Sequence, residues 1–151
     1  MTLEFRQMTV EDVAATFSVR TSTVENAITM ERLESDYAIT PQSLADAMGD
    51  DVKGWVCTDC GRIVGFAMGN HTTAEVLVVA VRPEYEGRGI GKKVLALVRD
   101  WLFSAGHKEI WLLATPDPRL RAYEFYRSHG WRGTGKIVGE DEIMVLRSGN
   151  A

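Results

Sequence analysis

A mixed α/β sheet flanked by helices is the fold the sequence predicts, with about six to seven strands and about four to five helices. Three observations lead there. Between residues 53 and 81, three runs rich in Val, Ile, Phe and Met are joined by short turns of Gly, Asn and Asp, the pattern of an antiparallel meander. Ile90, Val94, Leu97, Val98, Trp101, Leu102 and Ala105 then recur at intervals of three and four, so a long helix has one apolar face that must cover a sheet. Beyond Gly106 the pattern returns to strands, with one more helix among them.

Taken in order, Leu3 and Phe5 alternate with charged neighbours, which suits a short strand over residues 3–8. Thr9 can cap a helix whose first turn carries Glu11 and Asp12 near the positive end of its dipole. A second helix is expected over Thr23–Leu33, and a third from Pro41, a first-turn proline after Thr40, to a stop at Gly49. The meander strands are expected at Lys53–Thr58, Arg62–Gly69 and Ala74–Val81. After the amphipathic helix come a strand over Glu109–Ala114, a helix from about Arg119 to His129 ended by Gly130, and a closing hairpin near Trp131–Lys136 and Glu142–Leu146. No repeat or low-complexity segment interrupts the chain, and one domain over residues 1–151 is the default for 151 residues of 45% hydrophobic content.

Charge and composition exclude several classes of function. The net charge of -4 and pI near 5.4 lack the basic footprint of a nucleic-acid binder, so no nucleic-acid partner is expected. The longest uninterrupted apolar run, Val76–Val81, is far short of the roughly 18 residues that span a bilayer, so no membrane partner is expected either. Glu4 and Arg6 stand where a secretory signal would be apolar, and a cytoplasmic location is the expectation. Residues 1–50 hold nine of the 21 acidic side chains and three of the 17 basic ones, which would suit a cationic substrate there and an anionic cofactor elsewhere; ordinary solvated helix faces explain the same asymmetry. Cys57 and Cys60 form a lone C-x-x-C without a second pair, and His71, His107 and His129 lack metal-ligand spacing. A hairpin turn is the simpler reading of that motif, and no metal is expected.

The chemistry concentrates where a strand hands over to the amphipathic helix, in Val81-Arg-Pro-Glu-Tyr-Glu-Gly-Arg-Gly-Ile-Gly-Lys-Lys93. Gly87, Gly89 and Gly91 let the backbone turn tightly and approach a ligand. The unpaired amides of the first helical turn face the same spot, where the dipole favours an anion by roughly 0.3–1 kcal/mol per charge. Arg88, Lys92 and Lys93 add cations, so a diphosphate is the natural guest. A P-loop would need glycine at Glu86 and a hydroxyl at Lys93; a dinucleotide fingerprint would need glycine at Lys92. Both fail on spacing.

The stretch Glu86-Gly-Arg-Gly-Ile-Gly91, preceded by Val81-x-Pro-x-Tyr85, resembles the pyrophosphate loop [QR]-x-x-G-x-[GA] of the GNAT (Gcn5-related) N-acetyltransferase family. The resemblance extends to Ala122-x-x-Phe-Tyr-x-x-x-Gly-Trp131 and to the order of elements over nearly the whole chain. Two positions depart from it: Glu86 replaces the usual Gln or Arg, and Arg119 stands where the family often has Asn.

The resemblance implies a GNAT-like sheet and an enzyme that takes acetyl-CoA as cofactor and releases CoA. It would transfer the acetyl group by direct attack of a primary amine, on a small molecule or a protein, without a covalent enzyme intermediate. Cofactor contacts would fall on the backbone of Val79, Ala80 and Val81 and on Glu86, Gly87, Arg88, Gly89, Ile90, Gly91 and Lys92. Tyr126 matches the position whose hydroxyl would stabilise the departing thiolate by hydrogen bonding and then protonate it, and Glu75 the position used as general base, usually through water. By pattern alone, Tyr126 reads equally well as core beside Ala122 and Phe125, and Glu75 as an exposed strand-start carboxylate. Arg20, Glu25 and Asn26, between the first two helices, fall where the family builds its acceptor pocket; a helix cap at Thr23 explains part of that string as well. Family members often pair, so a homodimer is an open expectation. A non-catalytic acyl-CoA-binding or sensing module is the alternative function, and a purely structural role would leave the glycine cluster without a purpose.

Overall fold

The computed structural model describes residues 1–23, 39–49 and 51–150. The helix expected over Thr23–Leu33 therefore lies outside the described residues, apart from Thr23 itself. The described chain runs through β1 (Leu3–Gln7), α1 (Val13–Ser22), α2 (Pro41–Ala47), β2 (Val52–Asp59), β3 (Arg62–Asn70), β4 (Glu75–Val81), α3 (Ile90–Ser104), β5 (Glu109–Ala114), α4 (Ala122–Ser128), β6 (Arg132–Val138) and β7 (Asp141–Arg147). Seven strands form one sheet in the order β1-β2-β3-β4-β5-β7-β6. Every neighbouring pair is antiparallel except β4 and β5, which run parallel because α3 carries the chain across between them.

Helices cover both faces of the sheet. On one side Val94, Leu95, Val98 and Leu102 of α3 pack with Val64, Ala67, Val76, Ile110 and Leu112 of the strands. On the other, Val13 and Phe17 of α1 pack with Val56, Phe66, Met68 and Ala80. Burying the five aliphatic side chains Ile90, Val94, Leu95, Val98 and Leu102 contributes on the order of 10 kcal/mol before entropy. Within β3, Gly65 and Gly69 let α3 approach: a Cβ at Gly65 would meet Ile90 Cγ2 at 2.7 Å, and one at Gly69 would meet Val98 Cγ1 at 2.7 Å. Those two positions seat α3, and with it the start of the helix, tightly on the sheet.

Three local expectations need correction. The chain enters α1 through a short 3-10 turn at Val10–Asp12. There the Asp12 carboxylate accepts the Thr9 amide at 2.8 Å and the Thr9 hydroxyl at 3.2 Å, while Arg6 donates to both its oxygens at 2.7 and 2.9 Å. This pairing holds the Asp12 carboxyl down at about 2. The last helix starts at Ala122 rather than Arg119, because Asp117 accepts the Arg119 amide at 2.9 Å and closes a turn through Leu120 N–H to its own carbonyl at 3.0 Å. Along α3, Leu95 is buried and Ala105 exposed, the reverse of the predicted stripe at those positions. Cys57 is buried in β2 and Cys60 exposed in the β2–β3 turn, both as free thiols, in agreement with a hairpin. No helix among the described residues is long and apolar enough to cross a membrane.

Candidate cofactor and acceptor site

The parallel neighbours β4 and β5 are in register only at Glu75 and Trp111, with Trp111 N–H donating to the Ala74 carbonyl at 3.1 Å. Beyond that pair the strands part. At the same place the β3–β4 ladder carries a bulge: Gly69 opposes Val76 and Met68 opposes Val78, leaving Leu77 as an extra residue. Strand alternation makes this consequential. Ala74 turns its carbonyl to β5, so Val76 faces β5 as well, whereas Arg82 N–H bonds back to Val64 O of β3 at 2.8 Å. Counting back from Arg82, Ala80 and Val78 face β3, and the polar backbone groups of Val79 and Val81 face the opening. An extended amide-bearing chain could add there as a strand would.

The mouth of this opening is the glycine-rich turn. Gly87 and Gly89 have φ of 77° and 78°, a left-handed conformation that suits glycine, and a Cβ at either would meet no protein atom within 4 Å. Both therefore border open space. The first intrahelical bond of α3 runs from Lys93 N–H to Gly89 O at 3.1 Å. Among the described residues the amides of residues 87–92 donate to no protein acceptor. A Cβ at Gly91 would come within 3.4 Å of the Phe125 ring and 3.6 Å of Val81 Cγ2, so the end of β4, the start of α3 and the middle of α4 converge on this turn.

Charged side chains ring the turn. The Arg88 guanidinium lies 5.2 Å from the centre of the Tyr85 ring, and the Tyr85 hydroxyl donates to Asp59 at 2.5 Å. The Lys93 ammonium sits 4.7 Å from the centre of the Phe5 ring, and Lys92 is exposed. The Glu86 carboxylate is paired with the guanidinium of Arg121, at the N-cap of α4. Arg119 is engaged by Asp117 at 2.6 Å and is largely exposed.

Tyr126 is buried in α4, edge-on to Phe125 at 5.3 Å and to Trp131 at 6.1 Å. Its hydroxyl bonds to no described residue. Among the described residues no fully buried side-chain nitrogen or oxygen lacks a partner, so that hydroxyl keeps some contact with solvent. Burial pushes the Tyr126 phenol well above its ordinary value.

Glu75 begins β4 and is half-buried, again without a hydrogen bond or ion pair to a described residue. Burial raises its carboxyl above the usual range. Its neighbour Val76 points to the α3 side, so Glu75 points to the face covered by α1. Arg20 lies in the last turn of α1, half-buried, on a helix tied to the end of β4 by the Arg82 guanidinium, which donates to Ser18 Oγ at 3.1 Å. Glu25 and Asn26 lie outside the described residues. A concavity of about 460 Å³ at Arg127, Gly130, Trp131, Arg132 and Gly133 lies beyond the far end of α4 from the turn and includes none of the expected site residues.

The sequence points to the glycine-rich turn and gives no direct sign of two features beside it. The bulge at Leu77 leaves no trace in Val-Leu-Val-Val-Ala-Val, where every residue is apolar. Arg121 is 35 residues from Glu86, although its place at the head of the Ala122–Trp131 motif was a usable signal.

A mixed sheet that opens between two parallel strands, with unpartnered amides and cations at the mouth, is an arrangement suited to an extended amide-bearing chain that ends in a diphosphate. The chain matches the Acetyltransferase (GNAT) family over residues 18–131 and belongs to that family. It is an acyltransferase of the GNAT N-acetyltransferase type, with acetyl-CoA as cofactor. Its fold is similar to PaiA N-acetyltransferase from Thermoplasma acidophilum in complex with coenzyme A, at TM-score 0.81 and 21% identity over 97% of this chain and 99% of that one. The ribosomal-protein-S18-alanine N-acetyltransferase of Escherichia coli aligns at TM-score 0.74 and 19% identity, over 97% of this chain and 94% of that one. The protein yncA from Salmonella typhimurium, with its cofactor acetyl-CoA, aligns at 0.70 and 16% over 97% and 94%. No curated protein matches the chain.

Proposed function

We propose that this acetyltransferase acts in the cytoplasm on a primary amine, of a small molecule or a protein, and that the amine attacks the acetyl group directly. The observation that carries the reading is the position of Glu75, an unpaired half-buried carboxylate on the strand that also offers its backbone to the opening. The residues present fit the cofactor: six amides without protein partners would receive the diphosphate, and Val79 and Val81 the amide-bearing arm. Bound acetyl-CoA supplies an activated acetyl group and a thiolate leaving group.

The chain's own residues then have three tasks. The Val79 and Val81 amides aim dipoles into the opening, where they would polarise a carbonyl. Glu75 lies about 10–13 Å along β4 from Val79, too far for direct contact, so it would take a proton from the amine through water. Its raised carboxyl value suits it, because an amine near 10.4 is mostly protonated at neutral pH and a weak carboxylate base removes little. Tyr126 would donate a hydrogen bond to the leaving sulfur. A thiol near 8.5 is already a stronger acid than a tyrosine near 10, and burial widens the margin. Tyr126 therefore keeps its proton and would stabilise negative charge by donation rather than by protonation; of the two protons an ammonium acceptor loses, the first would pass through water to Glu75 and the second, shed once nitrogen bonds to the acetyl carbon, would go to the departing sulfur.

A panel of primary amines, assayed for CoA release by the wild-type chain, tests this. Turnover with one or more amines is expected. CoA binding without turnover on any amine would favour the sensing module instead.

A further inference from the structure

The acid at position 86 is the feature that the family pattern does not explain, since a carboxylate beside a diphosphate cradle is repulsive. At 4 Å two unit charges interact by about 1 kcal/mol in water and about 4 kcal/mol near a protein surface. The structure gives Glu86 a partner: the Arg121 guanidinium is hydrogen-bonded to it. One sequence relation and one set of contacts place Arg121 beside the cradle. Glu86 directly precedes Gly87, so a group bound to its carboxylate stands at the entrance of the turn. One turn along, Phe125 donates its amide to the Arg121 carbonyl at 2.9 Å, and its ring bounds Gly91 at the other end. The first turn of α4 thus straddles the loop, with Arg121 at the residue 86 end and Phe125 at the residue 91 end.

We infer that Arg121 is a further diphosphate-binding residue of the cofactor site, and that Glu86 is a positioning residue that holds the guanidinium there and not itself a contact of the cofactor. Where the family pattern places Gln or Arg at the loop, this chain brings a cation in from α4 and anchors it with an acid. The exchange also links the loop to the helix that carries Tyr126, so charge at the cradle and placement of the phenol share one element. The fork of the guanidinium suits both jobs, since it can serve a carboxylate and a phosphate oxygen through different N–H groups.

The inference rests on the acetyl-CoA reading, and equilibrium binding separates the two. Titration of the wild-type chain with CoA by calorimetry is the reference; no binding by the wild type would remove the cofactor reading itself. Arg121→Ala should weaken CoA about 10–100-fold, the range for a hydrogen bond to a charged group, and should flatten the dependence of Kd on salt. The same loss should appear with 3′-dephospho-CoA, which retains the diphosphate. In the Glu86→Gln, Arg121→Ala double variant part of the affinity should return, because the bare carboxylate is gone, and Arg121→Lys should restore part of it as well. An Arg121→Ala chain that melts as the wild type does and binds CoA equally well would overturn the inference. So would a loss confined to CoA and absent with 3′-dephospho-CoA, which would move Arg121 to the other phosphate.

Discussion

Tyr126 and Glu75 are both ionisable, both shifted upward by burial, and both without a partner among the described residues, yet the consequences differ. For Tyr126 the shift fixes it as a neutral donor at any working pH. Tyr126→Phe should lower kcat about 10²-fold while CoA affinity stays within about twofold, read by steady-state kinetics beside calorimetry; an unchanged kcat would take the phenol out of the chemistry. For Glu75 the shift places ionisation closer to neutrality. Its folded value lies above its unfolded one, so between the two the folded state binds more protons and stability falls as pH rises through that window. Glu75→Gln should therefore melt higher than the wild type above the window and equally below it, while acetylating more slowly at neutral pH and recovering as the amine deprotonates by itself. Melting curves and rate–pH profiles of the two proteins check both halves, and a pH-independent rate ratio would dismiss the base.

At the scale of elements, the turn depends on how closely α3 sits on β3. Gly65→Ala would set a Cβ 2.7 Å from Ile90 Cγ2, and Ile90 is the first residue of α3, so relief of the clash would displace the helix start that carries the cradle. A loss of about 1–3 kcal/mol in chemical denaturation is expected, together with weaker CoA binding; lost stability with undiminished affinity would show that the cradle does not depend on this seating. The helix, its terminal Gly106 and the hairpins were legible in the sequence because each is encoded locally, by periodicity or by turn residues. Arg119 stays outside α4, because Asp117-Pro118 makes a turn whose carboxylate ties up the Arg119 amide. The outward-facing backbone of Val79 and Val81 was expected only through the family resemblance. Its cause, the extra residue Leu77, is a matter of register between strands, and a uniformly apolar run carries no record of register.

Across the whole molecule, acidity is gathered in the first third of the chain, which holds α1 and the segment where the family resemblance implies an acceptor pocket. A cationic amine would be drawn there by long-range attraction, and salt would weaken that attraction within a Debye length of about 10 Å at 0.1 M. For accepted amines kcat/KM should fall with rising ionic strength, more steeply for polycationic acceptors than for monoamines, after allowance for any change in CoA affinity; parallel slopes would show that the asymmetry is only a solvated surface. The sheet itself has two leaves, β1–β4 and β5–β7, in register with one another at a single residue pair. On the proposed reading the amide-bearing arm of the cofactor would bond along the edge of β4 that β5 leaves uncovered, so taking up the reagent and extending the ladder would be a single event.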